Sequence, residues 1–197
     1  MRLMYDLQKS CAVLWVLYLM LEAADKLLKQ AIQSRRESRV EDARRDFVLA
    51  VELCRSAGSA SDLAVSLVHL GQIERDLLHT EASLQHYEEA AALCRVEGNP
   101  LRLAHTVRHI ADIYCDEHQY TLAEPHYNEA LAIYRSHDLT APLALANAIR
   151  GLAILKQETG QFEPAKLLWQ EARDLYSRVR VDAGVAECNA RFDHLAG

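Results

Sequence analysis

The sequence has few residues that break helices. It contains only 7 Gly and 4 Pro among 197 residues, well below the roughly 12% that these two residues contribute to globular proteins. This scarcity excludes a collagen-like or disordered chain, and it disfavours a β-sandwich because that fold needs a turn every few residues. With 50% hydrophobic and 25% charged residues, the chain has enough apolar material for one ordinary domain or two small ones.

Patterns for metal sites, disulfides and catalysis are also lacking. The 5 cysteines lie far apart with no Cys-x-x-Cys pair, so we expect no structural zinc, no disulfide framework and a reducing, cytoplasmic compartment. The net charge of −6 argues against nucleic-acid binding, because that function needs a basic surface. No glycine-rich phosphate loop and no Gly-x-Ser-x-Gly motif occurs. We therefore predict no enzyme activity, no catalytic residue and no cofactor.

An unbroken apolar run extends from Cys11 to Leu21. It is too short to span a bilayer, which needs about 20 residues, so we expect no membrane partner. Two interpretations remain open. Residues 1–24 form a signal peptide or anchor, in which case the protein is exported, or residues 1–21 form a helix that docks on the body of the protein. Docking is favoured because Asp6 interrupts the basic start of the segment and no small-residue cleavage site follows the run.

Four segments of the chain align with one another without gaps, at spacings of 40, 40 and 42 residues. They are residues 39–58, 79–98, 119–138 and 161–180. Each has a small residue, an aromatic residue four positions later and an alanine three positions further on. The aromatic column holds Phe47, Tyr87, Tyr127 and Trp169. Steps of four and three residues follow one face of an α-helix, so each segment is predicted to be helical.

The segments between these helices align as well, each with an opening Leu-Ala, an apolar stripe and then a small residue. They cover residues 63–76, 103–116 and 145–158. Each unit is therefore predicted to be a helix, a short turn and a second helix. Helix pairs with small, aromatic and small residues at these offsets resemble the tetratricopeptide repeat family, in the longer form found in kinesin light chains. The usual period of that family is 34 residues.

The resemblance implies an all-α, right-handed solenoid of antiparallel helix pairs over residues 22–197, preceded by the apolar helix at 1–21. The array is predicted to have four units and a capping helix, with boundaries at 22–62, 63–102, 103–144, 145–184 and 185–197.

In this family the first helix of each unit forms a concave wall that binds peptides or partner helices. The matching positions in the first two units are Lys29, Arg35, Val65, Val68, His69, Gln72 and Arg75. Those in the last two units are His105, Arg108, His109, Asp112, Asn147, Arg150 and Ile154. Basic residues outnumber acidic ones on this wall, so we expect a protein or peptide partner with acidic groups.

The resemblance thus implies a non-catalytic binding or scaffold protein. The alternative is self-association, as a homodimer, through the N-terminal or the C-terminal helix. His105 and His109 have the four-residue spacing of a chelating pair, but a third ligand would have to be assumed. We therefore expect these histidines to line the groove and to bind no metal.

Overall fold

The structure is a computed structural model that describes the backbone of residues 2–196 and the side chains of residues 12–195. Over that range the chain forms nine α-helices and no strand. They are α1 (Arg2–Arg36), α2 (Val40–Ala57), α3 (Ala60–Asp76), α4 (Thr80–Glu97), α5 (Pro100–Asp116), α6 (Tyr120–Ser136), α7 (Pro142–Glu158), α8 (Phe162–Arg178) and α9 (Asp182–Ala196). The prediction of an all-α chain built from antiparallel helix pairs is confirmed.

The chain divides into two compact units, Met1–Glu97 and Gly98–Gly197. In the first unit each helix packs on the next one along the chain, and α1 also contacts α3. In the second unit each helix again packs on the next one, and α5 also contacts α7. Each unit therefore has two layers: α1 and α3 lie on α2 and α4 in the first, and α5, α7 and α9 lie on α6 and α8 in the second.

Helices α3, α5, α7 and α9 begin three residues before the predicted unit boundaries, and side chains cap α3 and α5 upstream of the Leu-Ala pattern. The side chain of Ser59 accepts a hydrogen bond from the backbone N–H of Asp62, and Asn99 accepts one from Arg102. Such caps satisfy backbone N–H groups that have no partner inside the helix. The predicted boundaries were set by the first aligned apolar residues, which lie about one helical turn after these caps, so the first turn of each helix was left out.

The turn inside each helix pair contains a left-handed residue at the same place in the repeat. These residues are Ser38, Leu78, His118 and Gly160, with φ between 57° and 74°. A left-handed backbone is unfavourable for residues with a side chain. Hydrogen bonds across the turn offset this strain; the N–H of Arg39, for example, donates to the carbonyl oxygen of Ser34 at 2.8 Å.

The aromatic column forms the core of both units. The side chains of Phe47, Tyr87, Tyr127 and Trp169 are buried, as are the alanines three positions after them. The small residue near the middle of a first helix gives an aromatic ring its space. A Cβ atom at Gly71 would lie 3.1 Å from Cζ of Tyr87, closer than most carbon atoms approach one another in a packed core.

The apolar N-terminal segment is part of α1 and does not form a separate helix. No Gly or Pro interrupts residues 2–36, so the helix continues through the predicted boundary after residue 21. The side chains of Val13, Leu14, Trp15, Val16, Tyr18 and Leu19 are between 44% and 63% exposed. The expectation that this segment docks on the body is therefore wrong for these six residues. The partner helix α2 has only 18 residues, so at the same rise per residue it covers only the C-terminal half of α1.

Cys11, the first residue of the apolar run, lies outside the described side chains. Searched across the described residues, no helix combines the length and apolarity that crossing a membrane requires.

Candidate functional site

The fourteen residues predicted for the groove all lie on the first helices of the helix pairs. In the first unit they are Lys29 and Arg35 on α1, and Val65, Val68, His69, Gln72 and Arg75 on α3. In the second unit they are His105, Arg108, His109 and Asp112 on α5, and Asn147, Arg150 and Ile154 on α7. Val68 and His109 are buried, so these two pack in the interior and offer no surface to a partner.

In the first unit, α1 and α3 form the walls of a groove whose floor is α2. One cavity in this groove, of about 450 Å³, is lined by Ile32, Arg35, Arg36, Phe47, His69 and Asp76. We call it the basic cavity. Arg35 donates from Nε to Asp76 at 2.7 Å and from Nη1 to the side-chain oxygen of Gln72 at 3.1 Å. Three of the lining and supporting residues, Arg35, His69 and Gln72, were predicted from the sequence.

The positive charge of the basic cavity comes from its two arginines. The ring of His69 stacks on Phe47 with a centroid distance of 5.5 Å. Burial lowers the pKa of His69, and the nearby charge of Arg35 lowers it further, so this histidine is neutral near pH 7. Arg36 is exposed, and none of the described side chains forms an ion pair with it.

A second cavity lies in the same groove, about 290 Å³ in volume. It is lined by Leu21, Ala24, Asp25, Leu28, Cys54, Asp62, Val65 and Ser66, and we call it the acidic cavity. Asp25 pairs with Lys29 one helical turn away at 2.5 Å, and both side chains are more than half exposed. Asp62 accepts a hydrogen bond from the hydroxyl of Ser59 at 2.5 Å. Asp62 was not among the predicted groove residues.

In the second unit, the predicted residues of α5 are tied into an internal network. Arg108 donates from Nη1 to Asp112 at 2.5 Å and from Nη2 to Nε2 of His109 at 2.7 Å. The hydroxyl of Tyr127 donates to the other oxygen of Asp112 at 2.8 Å. The side chains of Arg108 and Asp112 are only 12% and 15% exposed. The charge of Arg108 is therefore both balanced and largely hidden from a partner.

The predicted residues of α7 are also partnered inside the second unit. Arg150 donates from Nε and Nη2 to the two carboxylate oxygens of Glu187 on α9, at 2.7 and 2.8 Å. Asn147 accepts a hydrogen bond from the hydroxyl of Tyr176 at 2.7 Å. Burial raises the pKa of Tyr176 to about 12, so this hydroxyl keeps its proton and remains a donor. The side chain of Ile154 is half-buried.

These contacts reduce the excess of basic charge that the sequence predicts. Asp76 and Glu187 were not among the predicted groove residues, and they pair with Arg35 and Arg150 respectively. The signal that could have found them is their separation from the arginines. Each acid lies about one repeat length further along the chain, as a contact between successive first helices requires.

The two histidines of the chelating pattern contact each other. The rings of His105 and His109 meet edge to face with a centroid distance of 4.7 Å. Among the described side chains, no group of three or more His, Cys, Asp or Glu residues is arranged to hold a metal ion.

Successive helix pairs with a repeating small, aromatic and small core define an α-helical repeat protein. Residues 102–178 match the family model described as tetratricopeptide repeat, and the fold resembles solved structures over most of the chain. Residues 102–178 are therefore tetratricopeptide repeats. A comparison with the sequences of curated proteins finds no match.

Three solved structures illustrate the likeness in fold. BtubC (BKLC) from P. vanneervenii has a TM-score of 0.72 at 19% identity, covering 80% of this chain and 64% of that one. The apo form of RapI has a TM-score of 0.76 at 15% identity, covering 85% and 61%. A signal transduction ATPase (STAND) with a tetratricopeptide repeat sensor, from Pyrococcus horikoshii, has a TM-score of 0.76 at 15% identity, covering 88% and 27%. The chain thus spans less than two thirds of each of these proteins.

Proposed function

We propose that the protein binds a protein or peptide partner in the groove between α1 and α3 and catalyses no reaction. The observation that carries this proposal is the basic cavity. Its arginines Arg35 and Arg36 lie beside the half-buried apolar side chain of Ile32. An acidic side chain with an apolar neighbour on the partner fits this combination.

The ion pair between Arg35 and Asp76 does not prevent such binding. The two side chains are 37% and 42% exposed, and an exposed pair of this kind stabilises a protein by only about 0–1 kcal/mol. A carboxylate of the partner can therefore take the place of Asp76. A guanidinium group holds a carboxylate through two parallel hydrogen bonds, which sets the orientation of the ligand as well as its affinity.

The groove of the first unit is a better candidate than the arginines of the second. Arg108 is mostly buried against Asp112, and Arg150 makes two hydrogen bonds to Glu187. A partner would have to break these contacts to bind there, whereas Arg36 is exposed.

The test is a double charge reversal, Arg35→Glu with Arg36→Glu. The probes are two fluorescent tripeptides, Leu-Glu-Leu and Leu-Gln-Leu, which are short enough to occupy the basic cavity alone. We expect the wild-type protein to bind the Glu peptide roughly tenfold or more tightly than the Gln peptide, because each charge-assisted hydrogen bond contributes about 1.5–3 kcal/mol. The double variant should lose this preference, as measured by fluorescence anisotropy.

The matched control is Arg45→Glu with Arg55→Glu, which makes the same change in net charge on exposed side chains of α2. This control should bind the Glu peptide as the wild type does. Equal loss of binding in both double variants, with circular dichroism unchanged, would show that net charge alone governs binding and would contradict the proposal.

The expected cytoplasmic location is part of the same proposal. Among the described residues Cys54, Cys94, Cys115 and Cys188 form no disulfide. Persistent free thiols are typical of proteins in a reducing compartment.

Self-association through α1 is a second candidate function, and one observation favours it. The exposed apolar side chains between Val13 and Leu19 form a continuous band, with the rings of Trp15 and Tyr18 stacked 5.7 Å apart. Residues 12–20 include no charged side chain. A helix that is apolar on all sides is normally buried, and a second copy offers a matching, self-complementary band.

The variant Trp15→Lys with Val16→Lys tests this candidate. If the band joins two copies, the wild type sediments as a dimer at micromolar concentration and the variant as a monomer, because two charges from each copy would be buried in the interface. The control Leu122→Lys with Leu167→Lys alters exposed apolar residues of the second unit and should leave the mass unchanged. Self-association through this band would be ruled out if the wild type is a monomer, or if the variant keeps the mass of a dimer.

A further inference from the structure

The acidic and basic cavities follow one another along the same groove. Both have α1 on one side and α3 on the other, and both have a floor residue from α2, namely Cys54 and Phe47. The acidic cavity uses the start of α3 and the middle of α1, whereas the basic cavity uses the C-terminal ends of both helices. A segment lying along the groove therefore meets both cavities.

The two cavities are separated by a defined length. Asp25 and Arg35 are ten residues apart on one continuous helix. At a rise of 1.5 Å per residue, this corresponds to about 15 Å along the helix axis. An extended peptide covers that length in four to five residues, and a helical segment covers it in about ten.

We propose that this groove selects a partner segment that carries a basic side chain and an acidic side chain about 15 Å apart, and that the two cavities fix the direction in which the segment lies. The inference rests on the proposed function and names the partner class of the same groove. It also changes the expected chemistry of the partner, from an acidic segment to one with charges of both signs.

The acidic cavity suits the side chain of lysine or arginine. Leu21, Leu28 and Val65 supply apolar surface for the aliphatic stem, while Asp25 and Asp62 supply carboxylates for the charged end. Long basic side chains commonly place their stems on apolar surface in this way. The volume of about 290 Å³ is at the small end of ligand pockets, so it fits one long side chain better than a whole small-molecule ligand.

Like charges make the groove selective. A uniformly acidic segment would bring a carboxylate toward Asp25 and Asp62, and a uniformly basic one would bring a cation toward Arg35 and Arg36. Unfavourable pairs of this kind reject wrong partners more effectively than favourable contacts alone. Only a segment with both signs at the right spacing avoids both repulsions.

The contacts that the two cavities already make leave them able to bind a partner. The pair between Asp25 and Lys29 joins two largely exposed side chains within α1. Such a pair contributes little to stability, so Lys29 can move away when a cation of the partner approaches Asp25.

The experiment uses the full chain and a set of fluorescent proline-rich peptides. A polyproline II helix rises about 3.1 Å per residue, so a Lys and a Glu five positions apart are separated by about 15 Å. The comparison peptides carry Lys and Glu two positions apart, Gln in place of Lys, Gln in place of Glu, or Glu at both positions. We expect the peptide with the five-residue spacing to bind roughly tenfold or more tightly than each of the others.

Two double variants assign the charges to the cavities. Asp25→Asn with Asp62→Asn should weaken the Lys–Glu peptide to the affinity of the Gln–Glu peptide and leave the latter unchanged. Arg35→Gln with Arg36→Gln should weaken the Lys–Glu peptide to the affinity of the peptide that carries Gln in place of Glu, and should leave the affinity of that peptide unchanged. A nitroxide label beside the peptide Lys should broaden the amide NMR signals of residues 21–28 more than those of residues 32–36.

The outcomes separate this inference from the proposed function. If the peptide with Glu at both positions binds as tightly as the Lys–Glu peptide and still needs Arg35 and Arg36, the groove binds acidic partners and the two-charge inference is wrong. If the double variant Asp25→Asn with Asp62→Asn binds the Lys–Glu peptide as tightly as the wild type does, the two-charge inference is also wrong. If none of the peptides binds, both proposals are overturned.

Discussion

The Glu74→Lys variant is expected to lose at least about 4 kcal/mol of folding free energy. The side chain of Glu74 is 2% exposed, and its two oxygens lie 2.8 Å from Nε of Arg44 and 2.6 Å from Nδ1 of His79. Removing one partner of a buried ion pair costs about 3–5 kcal/mol. Lysine goes further, because it buries a second cation beside Arg44. Urea unfolding followed by circular dichroism measures the loss.

The second unit indicates how the loss can be repaired. At the positions that correspond to Glu74, Arg44 and His79, it has Lys156, Glu124 and Gln161. Lys156 donates to Glu124 at 2.6 Å and to Gln161 at 3.0 Å. The repeat therefore accepts this ion pair with its signs exchanged. The double variant Arg44→Glu with Glu74→Lys should recover at least half of the stability that Glu74→Lys loses.

An exposed ion pair provides the control for this prediction. Arg55 and Glu89 join α2 to α4 at 2.6 Å, and both are well exposed. The substitution Arg55→Glu should cost only about 1 kcal/mol. The double variant Arg44→Glu with Glu74→Lys is compared with the two single variants. If it loses as much folding free energy as the two single variants lose together, then Arg44 and Glu74 do not act as a coupled pair.

Most of the fold could be predicted from the sequence, because its core repeats. Phe47, Tyr87, Tyr127 and Trp169 recur at nearly constant spacing and are buried. A side chain that must fill the same place in every helix pair leaves a periodic signal. The left-handed turn residues Ser38, Leu78 and His118 leave no such signal, since only the fourth turn has a glycine.

The candidate site could be predicted only in part. Arg35, His69 and Gln72 were predicted because they occupy repeated positions on the first helices. Asp76 was missed because its partner Arg35 lies 41 residues away on another helix, and the spacing of residues within one helix cannot show such a pair. The length of α1 was missed for a different reason. The composition changes near residue 21, but a helix ends at a breaking residue or a cap and not at a change in polarity.

The opposite charges of the two cavities were hidden for the same reason. Counted along the chain, Asp25 and Asp62 are ordinary surface acids. They come together only because α1 and α3 bring them to the same cavity. Net charge over a set of aligned positions therefore describes such a groove poorly, since charges of both signs are separated along its length.

The Gly151→Ala variant is expected to destabilise the second unit by about 2–4 kcal/mol. A Cβ atom at this position would lie 2.4 Å from Cε1 of Tyr127 and 2.7 Å from its hydroxyl oxygen. Tyr127 cannot easily move away, because its ring is buried and its hydroxyl donates to Asp112. Overpacking of a core costs about 1–3 kcal/mol, and displacing the hydroxyl adds the loss of a hydrogen bond to a charged group. Thermal unfolding should show a decrease in Tm of roughly 10 °C.

A second substitution tests whether Tyr127 is the cause. In the background Tyr127→Leu the clashing ring atoms are absent, so Gly151→Ala should become neutral or stabilising, because alanine favours a helix over glycine by about 1 kcal/mol. Gly71→Ala provides a milder comparison, since its Cβ would lie 3.1 Å from Tyr87. An equal loss of Tm for Gly151→Ala in both backgrounds would mean that the space taken by Tyr127 is not the reason for a glycine at position 151. The expected result would instead establish that this glycine allows Tyr127 to reach Asp112, and hence to hold the carboxylate that neutralises Arg108.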